Sequence, residues 1–171
     1  SIFNGKDLTG WKVPSPNPFW TVVDGVLTGT SDPGKKGNML HTEKNYADCE
    51  FEAEARWTGD IDSGFMMRKP EIQMQIGVSR SLKIDMTGCF YIGNYPEAGQ
   101  AKERAKLLKP GEWNHFKFRA KGDTFTISIN GTEAVNYQNP KYAGPGPIGL
   151  QIHPGVDMKI EFRNLKVKEL K

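Results

Sequence analysis

The chain has 171 residues, of which 37% are hydrophobic and 25% charged, and its net charge is only +3. Those values are ordinary for a folded globular protein, long enough to bury a core as a single domain without staples. No basic stripe with interleaved aromatics points to a nucleic-acid partner, and no apolar run nears the ~20 residues needed to span a membrane.

In chain order, strand signals recur and helical periodicity hardly appears. Phe19-Trp20-Thr21-Val22-Val23 leads through Asp24-Gly25 into Val26-Leu27-Thr28, a hairpin by its turn residues. Cys49 to Thr58 alternates, with Phe51, Ala53, Ala55 and Trp57 opposite Glu50, Glu52, Glu54 and Arg56. Strands are then expected at Ser63–Lys69, Glu71–Val78, Ser81–Met86 and Cys89–Ile92. Ala101–Leu108 has the composition of two helical turns with a solvated charged face. The strand pattern returns at Trp113–Ala120 and Thr124–Ile129. Asn130-Gly131 then makes a hairpin with Glu133–Tyr137, and Gly149–His153 and Met158–Glu169 close the chain. Short strands separated by turns over the whole length, with no repeat or linker, describe one all-β domain over 1–171, a sandwich or jelly roll.

Two segments carry an unusual polar face. Alternation sends Ile72, Met74 and Ile76 to a core and Glu71, Gln73 and Gln75 to the opposite side. In Leu150-Gln151-Ile152-His153 the same rule puts Gln151 and His153 together. Amides beside a carboxylate and an imidazole suit a ligand rich in hydroxyls. Trp57 shares a face with Phe51 and Ala55 and reads as core, while Tyr91 and Tyr95 read as rim residues beside the Gly93-Asn94 loop. Cys49 and Cys89 lack the C-x-x-C spacing of a metal site. They read as small buried hydrophobes, with a single disulfide as the alternative.

Three groups of motifs resemble one family in order along essentially the whole chain. They are Ile2-Phe3-Asn4-Gly5-Lys6-Asp7-Leu8-Thr9-Gly10-Trp11; Asp62-Ser63-Gly64-Phe65-Met66-Met67-Arg68 with Glu71-Ile72-Gln73; and Gly149-Leu150-Gln151-Ile152-His153 with Phe162-Arg163-Asn164. The chain is thereby similar to the 3-keto-disaccharide hydrolases, which implies a concanavalin A-like jelly-roll β-sandwich of lectin/glucanase type. The resemblance also implies a groove holding Glu71, Gln73, Gln151 and His153, with Arg68 reaching it from the end of the preceding strand. Trp11, Trp20 and Trp113 fall inside the family's structural motifs, which implies core positions for them. The connection Lys69-Pro70 and the segment 79–86 depart from the family pattern.

The implied chemistry is removal of the proton at C2 of a 3-keto sugar, expulsion of the glycosidic oxygen at C1, and hydration. That requires a base, an enolate stabiliser and an acid rather than paired carboxylates. His153 or Glu71 is the expected base and Arg68 or Lys83 the expected cation. Gln73, Gln75, Gln151, Lys83, Tyr91 and Asp85 are the expected sugar contacts. No cofactor is expected, and a divalent metal stays open as a substitute for the cation. The expected partner is an oxidised di- or oligosaccharide or glycoside, and the expected location is the periplasm or cell surface after removal of a leader. A non-catalytic carbohydrate-binding module is the alternative, because the same fold serves both.

Overall fold

The computed structural model describes residues 1–171. Twelve strands form two antiparallel sheets that enclose the core as a jelly-roll β-sandwich. The seven-stranded sheet runs β1 (Trp20–Val23), β2 (Val26–Thr30), β12 (Lys159–Glu169), β4 (Cys49–Trp57), β8 (Asn114–Lys121), β9 (Thr124–Ile129), β10 (Thr132–Gln138). The five-stranded sheet runs β3 (Asn38–Tyr46), β11 (Gly146–Ile152), β5 (Asp62–Met67), β6 (Ile72–Gly77), β7 (Phe90–Tyr91).

Local chemistry sets the hairpins. Asp24 and Gly25 take φ of 51° and 77° between β1 and β2, and Asn130 and Gly131 take 50° and 89° between β9 and β10. Both are left-handed pairs of the kind a two-residue turn requires. Between the sheets, Phe65 of β5 packs its ring against Phe51, Phe116 and Phe162 at centroid distances of 5.0, 6.1 and 5.7 Å. Every residue of β5 and β6 is buried. These two strands therefore lack the usual polar, water-facing side, and whatever lies on their outer face is itself covered.

Four expectations meet a different structure. β3 was not legible as a strand, because its core-facing positions include Thr42, whose hydroxyl bonds the Lys44 carbonyl and the Ile148 N–H instead of adding an apolar alternation. Residues 81–86 make a turn rather than a strand, closed by Ser79 N–H to Ile84 O at 2.9 Å and Lys83 N–H to Ser79 O at 2.8 Å. The helix is a single turn, α1 (Arg104–Leu107). Trp113 lies outside the core, half-buried between the guanidinium groups of Arg56 and Arg163, 4.5 and 4.1 Å from its ring. Cys49 and Cys89 are buried and unbridged, and burial pushes the Cys49 thiol up to about 11.

Candidate active site

The outer face of the five-stranded sheet gathers the polar residues. Across β5 and β6, Gln73 stands opposite Met66, Gln75 opposite Gly64, and Gly77 opposite Asp62. On the other side of β5, Gly149 of β11 stands opposite Met66, so Gln151 and His153 follow along the same face toward Asp62. Gly64 leaves the space in which the amides meet. A Cβ there would come within 2.6 Å of Gln73 Nε2 and 2.7 Å of the Met74 carbonyl.

Asp62 sets the orientation of the amide row. A carboxylate can only accept, so Gln75 turns its NH2 toward Asp62 Oδ1 at 2.7 Å. The Gln75 carbonyl oxygen then faces Gln73, whose NH2 donates to it at 2.8 Å and to Gln151 Oε1 at 3.2 Å. The NH2 of Gln151 is left as a donor toward the ligand side. Oδ2 of Asp62 accepts the backbone N–H of Arg80 at 3.1 Å. Asp62 is only 4% exposed, and burial raises its pKa above the ordinary aspartate value, against the lowering effects of Gln75, His153 and Arg80.

His153 follows the last residue of β11, with its backbone N–H directed at the Asp62 carbonyl at 3.4 Å. Its ring Nδ1 lies 2.7 Å from the Pro154 carbonyl oxygen. A carbonyl accepts only, so Nδ1 carries the hydrogen and neutral His153 presents a bare lone pair at Nε2. That lone pair sits 3.8 Å from Asp62 Oδ2, too far for a direct hydrogen bond. Two acceptors facing each other in this way are satisfied by a donor placed between them, or by a proton taken up on Nε2.

These groups line one cavity of about 120 Å3, together with Ser79, Arg80, Ser81, Tyr91 and Tyr95. That is far above the ~10–15 Å3 that one water needs. The rings of Tyr91 and Tyr95 meet at a centroid distance of 4.9 Å on its wall. Burial pushes the Tyr95 phenol up to about 12, so it stays a protonated donor at neutral pH. No three His, Cys, Asp or Glu side chains cluster anywhere in the chain. Asp62 and His153 alone fall short of a closed ligand set for a divalent ion.

His153, Gln73, Gln75, Gln151 and Tyr91 thus come together as the sequence led one to expect. Four other candidates lie elsewhere. Glu71 precedes β6 in a turn and pairs with His41 at 3.4 Å, both half-exposed. His41 sits against Gly149, in the cross-strand row of Met66, four residues along β5 from Asp62 and hence roughly 13 Å from it. Arg68 does not reach the groove. Its side chain is buried and bonded to Asp48 at 3.1 Å and to the Ala143 carbonyl at 2.6 Å, because the chain turns at Arg68 with φ of 70°. Lys83 occupies the 81–84 turn with φ of 59° and is exposed. Asp85 bridges to Val78 and accepts the Thr87 N–H at 2.8 Å, outside the cavity.

Sequence reasoning missed Asp62 and the Ser79–Ser81 segment. A signal for Asp62 was present, since it stands two residues before Gly64 on an alternating strand. Ser79–Ser81 reach the cavity through a turn that begins between the expected strands Glu71–Val78 and Ser81–Met86 and takes up the start of the second.

Comparison with known proteins agrees with this architecture. The family described as 3-keto-alpha-glucoside-1,2-lyase-like domain matches residues 1–168. Two solved structures of candidate glycosyl hydrolases from Parabacteroides distasonis superpose closely. One has 25% identity and a TM-score of 0.74, covering 99% of this chain and 93% of that one. The other has 22% identity and a TM-score of 0.76, covering 99% and 98%. The β-glucanase of Bacillus licheniformis shares the fold at 13% identity and a TM-score of 0.65, covering 99% and 96%. No protein of curated function matches the sequence.

Proposed function

We propose that this chain, which belongs to the 3-keto-alpha-glucoside-1,2-lyase-like family, is a carbohydrate-active enzyme of glycosyl-hydrolase type, as the similar structures from Parabacteroides distasonis support, and that it cleaves the glycosidic bond of 3-keto sugars by proton transfer at His153. Nε2 of His153 removes the proton at C2, and the electrons of that C–H bond pass into an enolate whose charge rests on the C3 oxygen. The free NH2 of Gln151, beside the imidazole on the same face, is a donor for that oxygen. When the enolate collapses back to the ketone, a C1=C2 bond forms and the C1–O bond breaks. The departing oxygen takes the proton from the imidazolium, releasing an alcohol. Water adding to C1, with a proton returning to C2, completes hydrolysis.

Asp62 acts through its neighbours in this scheme. Its carboxylate faces Nε2 and stabilises the imidazolium once the proton is taken, and it holds the amide row in the orientation that binds sugar hydroxyls. The observation that carries the proposal is the convergence, in one cavity, of a buried carboxylate, an imidazole with a free lone pair and three oriented amides.

The test is release of alcohol from a 3-keto-glucoside by the wild type, His153→Ala and Asp62→Asn. Loss of turnover in both variants is the expected result, and equal rates in all three overturn the assignment. Binding of the sugar with no turnover by the wild type would instead make the chain a carbohydrate-binding module. Export to the periplasm or cell surface belongs to the same proposal and is checked by cell fractionation.

A further inference from the structure

Five of the six arginines of the chain are committed to the fold. Arg56, Arg68, Arg119 and Arg163 each pair with a carboxylate, and Arg104 donates to the carbonyls of Asp85 and Ala101. Arg80 differs. Its one hydrogen bond is made by the backbone N–H, to Asp62 Oδ2 at 3.1 Å, while its guanidinium borders the cavity and donates to no protein group.

The position of that guanidinium is built by the turn beneath it. Ser79 is 2% exposed, and its hydroxyl accepts the Leu82 N–H at 3.2 Å and meets the Ser81 hydroxyl at 3.1 Å. With Asp62 holding the Arg80 N–H, the residue leaves the turn at a fixed point on the cavity edge. Its Nη2 then reaches the His153–Gly155 side, 3.6 Å from where a Cβ on Gly155 would stand. The Gly155 N–H is itself held by the Lys35 carbonyl at 2.8 Å, which fixes that side of the cavity. The carboxylate that faces Arg80 is Asp62, buried at the cavity floor and already occupied by Gln75 and the Arg80 N–H.

Arg80 is exposed at the mouth, not sealed at the floor. Stabilising charge that develops in a reaction calls for donors in a water-excluded place. Pairing with a charge that the ligand already carries works at an open mouth, and the planar fork of a guanidinium fits a carboxylate in two parallel hydrogen bonds. We infer that Arg80 makes this cavity select sugars bearing a carboxylate, such as a uronic acid unit, over neutral sugars of the same shape. The inference rests on the reading of the cavity as a sugar site.

The test is calorimetric titration of wild type, Arg80→Gln and Arg80→Lys with methyl β-glucoside, methyl β-glucuronide and glucose 6-sulfate at low salt. The wild type is expected to bind the glucuronide about tenfold more tightly than the glucoside, as one charge-assisted contact allows. That preference should vanish in Arg80→Gln, persist in reduced form in Arg80→Lys, and shrink in high salt. Equal binding of the two glycosides by the wild type, no binding of the charged one, or an undiminished preference in Arg80→Gln overturns the inference. Glucose 6-sulfate bound as tightly as the glucuronide overturns the carboxylate assignment. Because the Arg80 side chain bonds to nothing in the protein, Arg80→Gln should fold normally, with an unchanged melting temperature. Turnover of a neutral 3-keto-glucoside by the wild type reads the proton-transfer proposal separately, so failure of one is not failure of the other.

Discussion

Two carboxylate–histidine pairs lie on the same face of the five-stranded sheet, one at each end of the polar stripe. Glu71 and His41 approach to 3.4 Å with side chains 43% and 30% exposed; Asp62 and His153 stand 3.8 Å apart with side chains 5% and 33% exposed. Distance alone would select the first pair. The surroundings select the second. Glu71 has His41 as its partner and is otherwise half in water, where an ion pair contributes about 0–1 kcal/mol. Asp62 is buried, each of its oxygens already accepts a hydrogen bond, and Nδ1 of its partner imidazole is committed to Pro154 so that Nε2 is free. A pair that cannot satisfy itself is the one with something left to offer a ligand.

The sharpest way to break this comparison is to delete each imidazole in turn. His153→Ala should lower kcat on a 3-keto-glucoside by about 10²- to 10⁴-fold, the usual worth of a general base. His41→Ala should stay within severalfold. Equal losses in steady-state assays would mean that the two pairs are not distinct in role. A gentler contrast uses the glycines beside each pair. At Gly64 an added methyl meets Gln73 Nε2 at 2.6 Å and the backbone oxygen of Met74 at 2.7 Å, and a backbone atom cannot step aside. Gly64→Ala should destabilise the fold by about 1–3 kcal/mol and displace the amide row, lowering turnover roughly tenfold or more. At Gly149 the methyl meets His41 Cδ2 at 3.0 Å and Met66 Cε at 3.3 Å, both ends of side chains that can move. Gly149→Ala should therefore cost less in thermal unfolding and in turnover.

The same contrast explains which parts of the molecule were readable in advance. Period-two alternation identified β4 and β6 and put Gln73 and Gln75 opposite the core-facing Ile72, Met74 and Ile76, because that pattern follows from the pleat. The turn pairs Asp24-Gly25 and Asn130-Gly131 marked both hairpins for the same kind of local reason. Alternation says which face a residue takes but not whether that face is dry. Glu71 and Asp62 are both carboxylates at the edge of a strand, and only the packing of distant segments over Asp62 separates them. The family resemblance implies a groove position for Arg68, yet a positive φ turns it away to Asp48. The 79–86 segment carries alternating charges at Lys83 and Asp85, but its serine hydroxyls close a turn instead. That turn places Arg80, and not Lys83, at the cavity.

Burial of Asp62 also leaves a signature in stability. Its folded-state pKa lies above the ordinary value of 3.8, so the native state holds the proton more tightly than the unfolded chain does. The stability linked to it is fully present below that ordinary value and is lost as pH rises through the raised one. Asp62→Asn removes the ionisation. The melting temperature of the variant relative to wild type should therefore begin to rise as pH passes 3.8, climb through the raised pKa and level off above it, even while its turnover falls. A difference that is flat with pH, or that falls, would mean that the carboxylate is well solvated. The distinction between the two carboxylates would then be lost.

The smallest effect is expected at Glu71. Replacing it with Gln keeps the shape and removes the charge, and the lost interaction with a half-exposed imidazole is worth no more than about 1 kcal/mol. For a chain of this size that corresponds to a fall in melting temperature of less than about 4 °C. Turnover should change by less than about twofold, and coupling to His41→Ala in a double-mutant cycle should be small and should shrink further in salt. A tenfold loss of kcat in Glu71→Gln would place a second titratable pair in the reaction, some four residues along β5 from the first. The substrate would then have to span the whole amide row, and the exposed end of the sheet would be as much a part of the machinery as the buried one.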